Sequence, residues 1–211
     1  MSSDDSADMY AAVLRLSRGD AKALRLTDAY SVHRAVYGLF ADTRSAVQKQ
    51  ASLPSGILYA DQGGDFHHRA ILILADRLPN LTPDHGTVEY KIIQPAFLQH
   101  ASYAFQVVVN PCRRDAQTGK ILAVLGREAI SDWFLERAAA SWGFAVKPDN
   151  LQVEKLAVQR FKKGEQTVTH GSASLKGELE VIDRERFVAS FRQGIGRGRA
   201  FGFGLLQIVP L

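Results

Sequence analysis

Cysteine is almost absent from this chain. Cys112 is the single one in 211 residues, and one thiol excludes an intrachain disulfide framework. Long apolar runs are missing too. No stretch of 18 apolar residues occurs, so no transmembrane helix is expected. The opening octet, "MSSDDSAD", lacks the basic and apolar segments of a secretory signal. Residues 1–8 are therefore expected to be a disordered extension before a fold that starts at Met9, and the protein is expected to be cytoplasmic. What is present is ordinary for a globular protein: 46% hydrophobic and 23% charged residues. The length suits two small domains of roughly 100 residues each.

The charge is unevenly spread. Residues 1–100 hold 10 Lys/Arg against 11 Asp/Glu, while residues 101–211 hold 16 against 11. The second half is thus basic, as a polyanion partner requires; charge alone fits an ordinary basic protein equally well.

Periodicity organises the first half as β-α-β-β-β. "MYAAVLRL" (9–16) is β-prone. In "TDAYSVHRAVYGLFAD", Thr27 or Asp28 can cap a helix. Its apolar stripe is Ala29, Val32, Val36, Leu39 and Phe40. "GILYADQ", "RAILILADRL" (69–78) and "TVEYKIIQPAF" read as strands, with 80–86 unassigned. The second half reads β-α-β-β-α-β, the split βαβ pattern of ferredoxin-like folds. Its elements are "YAFQVVVNPCRR", "GREAISDWFLERAAASWGF", two strands around a Lys-Lys-Gly turn, "RERFVASFRQG" capped by Asp183, and a last strand "AFGFGLLQIVPL". Phe201 and Phe203 alternate with glycine there, as in a strand packed on one face.

"GIGRGRAFGFG" (194–204) packs five glycines into eleven residues beside two arginines. It follows a helix and opens a strand, the reverse of a Rossmann loop, and it lacks the Gly-Lys-Ser/Thr of a Walker loop. A tight structural turn and a backbone clamp for a polyanion remain. Arg197 and Arg199 suit phosphate oxygens, as do successive exposed backbone N–H groups.

This glycine loop resembles the signature loop of the CRISPR RNA-processing endoribonucleases. "YAFQVVVNPCRR" and the helix after it resemble the type I-E members of that family, CasE, a subunit of the Cascade complex. "MYAAVLRL…DAYSVHRAVYGLFAD" resembles the family's first strand and helix, so the likeness runs from Met9 almost to the end. It implies an α+β protein of two tandem ferredoxin-like (RRM-like) domains. Residues 9–98 would hold the catalytic helix, and residues 99–211 the basic hairpin and glycine-rich loop. It also implies cleavage of CRISPR precursor RNA at the 3′ base of the repeat hairpin, with no metal or other cofactor, and retention of the product among the other Cascade subunits.

The family's Tyr-x-x-His pattern falls on Tyr30 and His33, with Arg34 adjacent. All three, with Tyr37, sit on a flank of the helix, beside its apolar stripe. The chemistry is attack by a ribose 2′-OH on the neighbouring phosphate. Histidine can act in it as base or as acid near neutral pH, and the sequence leaves both open. Tyr30 could position the phosphate, assist a proton transfer, or simply pack. Arg34 could neutralise the developing charge. Arg160, Lys162 and Lys163 in "QRFKKGEQ" are expected to hold the RNA stem by shape and phosphate contacts, as are Gly196, Arg197, Gly198 and Arg199 in the loop. Arg113 and Arg114 are further phosphate candidates. His67, His68, His85, His100 and His170 show no metal-ligand spacing. A non-catalytic RNA-binding subunit and a ligand-binding regulatory module are the competing functions.

Overall fold

The computed structural model describes residues 8–41, 55–65, 67–163 and 166–211, without the side chains of 160–168. Two antiparallel sheets organise them. The first contains β1 (Tyr10–Ser17), β2 (Ile57–Gly64), β3 (His68–Ala75) and β4 (Thr87–Ile92) in the order β2-β3-β1-β4. A short helix α1 (Arg18–Ala23) and the longer α2 (Ala29–Tyr37) follow β1. The strand order is that of a ferredoxin-like domain in which, among the described residues, no helix separates β3 from β4. Pro79, Pro83 and Gly86 interrupt the segment after β3 and stop the strand at Ala75 rather than at residue 78.

The second sheet runs β11-β5-β10-β8, with β9 also paired to β10. Its strands are β5 (Ser102–Val109), β8 (Phe144–Val146), β9 (Gln152–Lys163), β10 (Gln166–Val181) and β11 (Gln207–Pro210). Helices α3 (Arg127–Arg137) and α4 (Arg184–Gln193) complete a second ferredoxin-like domain. Three details depart from the sequence reading. Pro111 ends β5, and Cys112–Arg114 (β6) leaves the sheet to form a small hairpin with Ile121–Ala123 (β7). α3 continues through a π turn, Ala138–Trp142, and stops at Gly143 with φ 80°. The last strand is only four residues long: 201–206 belong to the glycine loop.

Strand alternation in the first sheet is two-sided. Leu14, Leu16, Tyr59, Ile71 and Ile73 face α2, packing on Val32 and Val36. Their neighbours Leu58, Ala60 and Leu74 point the other way, into a core shared with Tyr103, Phe105, Phe134, Ile195 and Leu205 of the second domain. One domain therefore covers the other's second apolar face.

Candidate active site at the glycine loop

α2 begins where Asp28 accepts the Ser31 backbone N–H and the Ser31 hydroxyl closes the capping box. Val32 and Val36 are buried, which turns the next arc of the helix toward the second domain. His33 and Tyr37 are half-buried on that arc, their rings 4.0 Å apart. Tyr30 lies 6.1 Å from His33, ring to ring, and the Arg34 guanidinium is 5.7 Å from the Tyr30 ring. The four side chains placed on this flank by helical spacing do sit together.

The glycine loop meets them. Arg199–Phe201 form one 3-10 turn, bracketed by Gly198 and Gly202, both left-handed at φ 83°. The turn aims the Ala200 carbonyl at the first domain. It accepts from His33 Nδ1 at 2.7 Å and from the Tyr59 hydroxyl at 3.1 Å. A carbonyl cannot donate, so Nδ1 carries the hydrogen and the neutral ring has its lone pair on Nε2. Burial, reinforced by Tyr37 and Asp61, pushes the Tyr59 phenol far up, so it remains a donor. Phe201 packs 5.9 Å from the His33 ring and 5.6 Å from the His170 ring.

The glycines are required by packing. A Cβ on Gly204 would stand 2.1 Å from the Ile195 carbonyl oxygen, and one on Gly198 would stand 2.8 Å from the Phe203 ring. Gly196 alone among the loop's glycines has open space where a Cβ would go. The loop's arginines separate. Arg199 donates to the Gln193 carbonyl at the end of α4 (2.8 Å). Arg197 is exposed, and its backbone bridges to Asn110 just past β5. The view of Phe201 and Phe203 as strand residues is corrected here: positive φ at Gly198, Gly202 and Gly204 breaks the extended conformation.

Arg160, Lys162 and Lys163 lie on the paired backbone of β9 and β10, which remain in register to Lys163↔Gln166. Their side chains fall outside the described residues. β9 passes beside α2. Sequence reasoning missed Tyr59 and His170. Tyr59 read only as an apolar strand residue. His170 read as an isolated histidine, yet its Nδ1 takes a 2.9 Å hydrogen bond from Asn110 Nδ2, and burial followed by the nearby Arg197 lowers its pKa. Among the described residues, no three His, Cys, Asp or Glu side chains are grouped to hold a metal ion, and no helix is long and apolar enough to cross a membrane.

Comparison with known proteins agrees with this architecture. CRISPR-associated endoribonuclease Cse3 of Thermus thermophilus is 34% identical over 130 residues, a stretch covering 57% of this chain and 61% of that protein. A Thermus thermophilus Cse3 structure, bound to an RNA representing a pre-cleavage complex, superposes with a TM-score of 0.74 at 23% identity, covering 96% of this chain and all of the other. A chain of a CRISPR RNA-guided surveillance complex superposes with a TM-score of 0.66 at 18% identity, again over 96% and all of the two chains. The family model described as CRISPR associated protein matches residues 9–210, and the chain, with its paired ferredoxin-like sheets and its Tyr-x-x-His helix docked on a glycine loop, belongs to that family.

Proposed function

We propose that this protein is an endoribonuclease that processes CRISPR precursor RNA, cutting at the 3′ base of the repeat hairpin without a metal ion. The observation that carries the reading is the hydrogen bond from His33 Nδ1 to the Ala200 carbonyl. It fixes the ring and puts the proton-accepting lone pair on Nε2. In the reaction, a 2′-OH attacks the adjacent phosphorus, the bond to the 5′ oxygen breaks, and a 2′,3′-cyclic phosphate and a 5′-OH result. Nε2 of the neutral ring takes the 2′ proton; the imidazolium so formed can return it to the departing 5′ oxygen. Tyr30 and Arg34 stand on the same flank, where a phenol can orient the phosphate and a guanidinium can offset its growing negative charge.

The Cse3 likeness supports the substrate class. The surveillance-complex likeness supports retention of the product beside other Cascade subunits, in the cytoplasm where the transcript is made. Residues 9–98 and 99–211 are the two domains in this reading, with the basic hairpin Arg160, Lys162 and Lys163, the loop residues Gly196, Arg197 and Gly198, and Arg199 at the loop's base assigned to RNA. Incubating the protein with its own repeat RNA in EDTA tests the proposal. One cut at the base of the hairpin, leaving a cyclic phosphate, is expected. Tight binding with the RNA left intact would make it a non-catalytic RNA-binding subunit instead.

A further inference from the structure

Beside the glycine loop, away from His33, lies a cavity of about 360 Å³. Arg113 and Arg114 reach it from β6, Arg137 from the end of α3, and Arg197 from the loop; Cys112 and Trp133 form part of its wall. Four arginines from three separate elements thus line one hollow, and no acidic residue lines it with them. Asp132 and Glu136 belong to the adjoining depression, which shares Arg113, Trp133 and Arg137. Arg114 is anchored by the Gly119 carbonyl at 3.0 Å. Among the described residues, Arg113, Arg137 and Arg197 have no carboxylate within salt-bridge distance.

Like charges gathered in one hollow repel one another, and although Asp115 feels the charge of Arg113, the arrangement becomes more favourable when an anion enters. Guanidinium forks match the oxygens of phosphate in particular. Gly196 borders the cavity with a positive φ of 71° and no atom within 4 Å of its missing Cβ, so the backbone too is open to a ligand there. Ala200 is three positions on from Arg197, at most about 11 Å of extended chain. A strand lying on His33 is therefore within a few nucleotides of this cavity.

We propose that the cavity is a phosphate-binding pocket for the RNA backbone, in which Arg113, Arg137 and Arg197 hold a phosphate a few nucleotides from the one that is cut. The proposal rests on the RNA-processing reading and adds to it a second anchoring point, to which α3 contributes Arg137. It sets the path of the strand as it leaves the active site.

Because Cys112 is the only cysteine, its alkylation reports directly on this cavity. Burial holds its thiol above the usual range against the opposing pull of Arg197 and Arg137, so labelling with iodoacetamide is followed at mildly alkaline pH and read at Cys112 by peptide mass spectrometry. Saturating repeat RNA, with saturation measured separately by fluorescence anisotropy, is expected to slow labelling at least tenfold. The double variant Arg113→Ala with Arg137→Ala removes two exposed side chains. It is expected to bind the RNA about tenfold more weakly, with a salt slope lower by roughly 0.7–0.9 for the one phosphate that is no longer neutralised. Labelling at the RNA-free rate on a saturated protein would overturn the pocket while leaving the RNA reading intact. So would a double variant that binds with wild-type affinity and slope. Protection by millimolar inorganic phosphate but not by RNA would make this a site for free anions and overturn the assignment to the RNA backbone. A wild-type protein that binds no repeat RNA would overturn both readings.

Discussion

Replacing His33 by alanine and by asparagine separates its two nitrogens. Two contacts of the ring carry the comparison: the 2.7 Å hydrogen bond from Nδ1 to the Ala200 carbonyl and the 4.0 Å ring approach to Tyr37. The first is worth about 0.5–1.5 kcal/mol, the second a similar amount beyond its buried area. Alanine removes both. Asparagine keeps an N–H near the position of Nδ1 and has nothing at Nε2, so it loses the ring contact but keeps the hydrogen bond. The carbonyl is not orphaned in either variant, because the Tyr59 hydroxyl still donates to it at 3.1 Å; the larger penalty of a buried unsatisfied acceptor does not apply. His33→Ala should thus be less stable than His33→Asn by about 1 kcal/mol, or roughly 2–4 °C in Tm for a chain of this size. Single-turnover cleavage should behave differently. Both variants lose Nε2, so both should fall by about 10²–10⁴-fold with RNA affinity held within a few fold. Calorimetry and a gel time course decide the matter. Equal melting temperatures for the two variants would refute the Nδ1 hydrogen bond. A cleavage rate within threefold of wild type in His33→Asn would remove Nε2 from the chemistry.

Three further outcomes follow from the same geometry. Gly196→Ala should cost about 1–2 kcal/mol, the left-handed penalty alone, whereas Gly204→Ala also drives its Cβ to 2.1 Å from the Ile195 carbonyl and should cost clearly more and depress cleavage; equal melting temperatures would show that the loop yields freely. Changing Arg160, Lys162 and Lys163 together to alanine should weaken hairpin binding and flatten its log–log salt dependence by somewhat under one unit for each phosphate released from the hairpin; an unchanged slope would return the turn to solvent. His170, held below the ordinary histidine value by burial and then by Arg197, takes up a proton more readily in the unfolded chain, so its contribution to stability is complete above about pH 6.5 and is lost as pH falls through its lower folded value. Melting curves from pH 5 to 8 should therefore fall more steeply on the acid side for wild type than for His170→Gln, and parallel curves would refute this.

The legible parts of the sequence were those written in side-chain period. The apolar, β-prone runs of β1 and β3, the Val32–Val36 stripe of α2, and the Asp28 and Asp183 caps mark their elements without help from the rest of the fold. Helical spacing likewise places Tyr30, His33 and Arg34 on one flank. The partner of His33 could not be read, because it is a backbone carbonyl: any residue at position 200 supplies one, and only the bracketing glycines hint that the backbone there is aimed. Tyr59 was hidden for a related reason, since an inward aromatic in a strand looks the same whether or not its hydroxyl reaches across to another domain. The glycine loop misled in the opposite direction. Its Phe-Gly alternation imitates a strand, and only the positive φ of Gly202 and Gly204, invisible in a one-dimensional pattern, shows that the chain cannot extend there.

Those carbonyl and hydroxyl contacts tie the chemistry to the way the two sheets meet. Leu58, Ala60 and Leu74 give the first sheet a second apolar face, which water would have to cover if that domain stood alone. The second domain covers it, and the glycine loop is part of the cover: the start of the loop lies so close to Leu58 that a Cβ on Gly194 would stand 2.8 Å from its side chain. The next residue in the strand, Tyr59, points to the opposite face and reaches the same loop at Ala200. Two consecutive residues of β2 thus hold one glycine-rich segment at two points, the first by packing at Gly194 and the second by a hydrogen bond at Ala200. Hydrophobic burial between the domains places the Ala200 carbonyl, and that carbonyl sets the tautomer of His33. The tautomer of His33 is accordingly established by folding, before any RNA arrives; in the proposed reaction the substrate then supplies the strand and its phosphate.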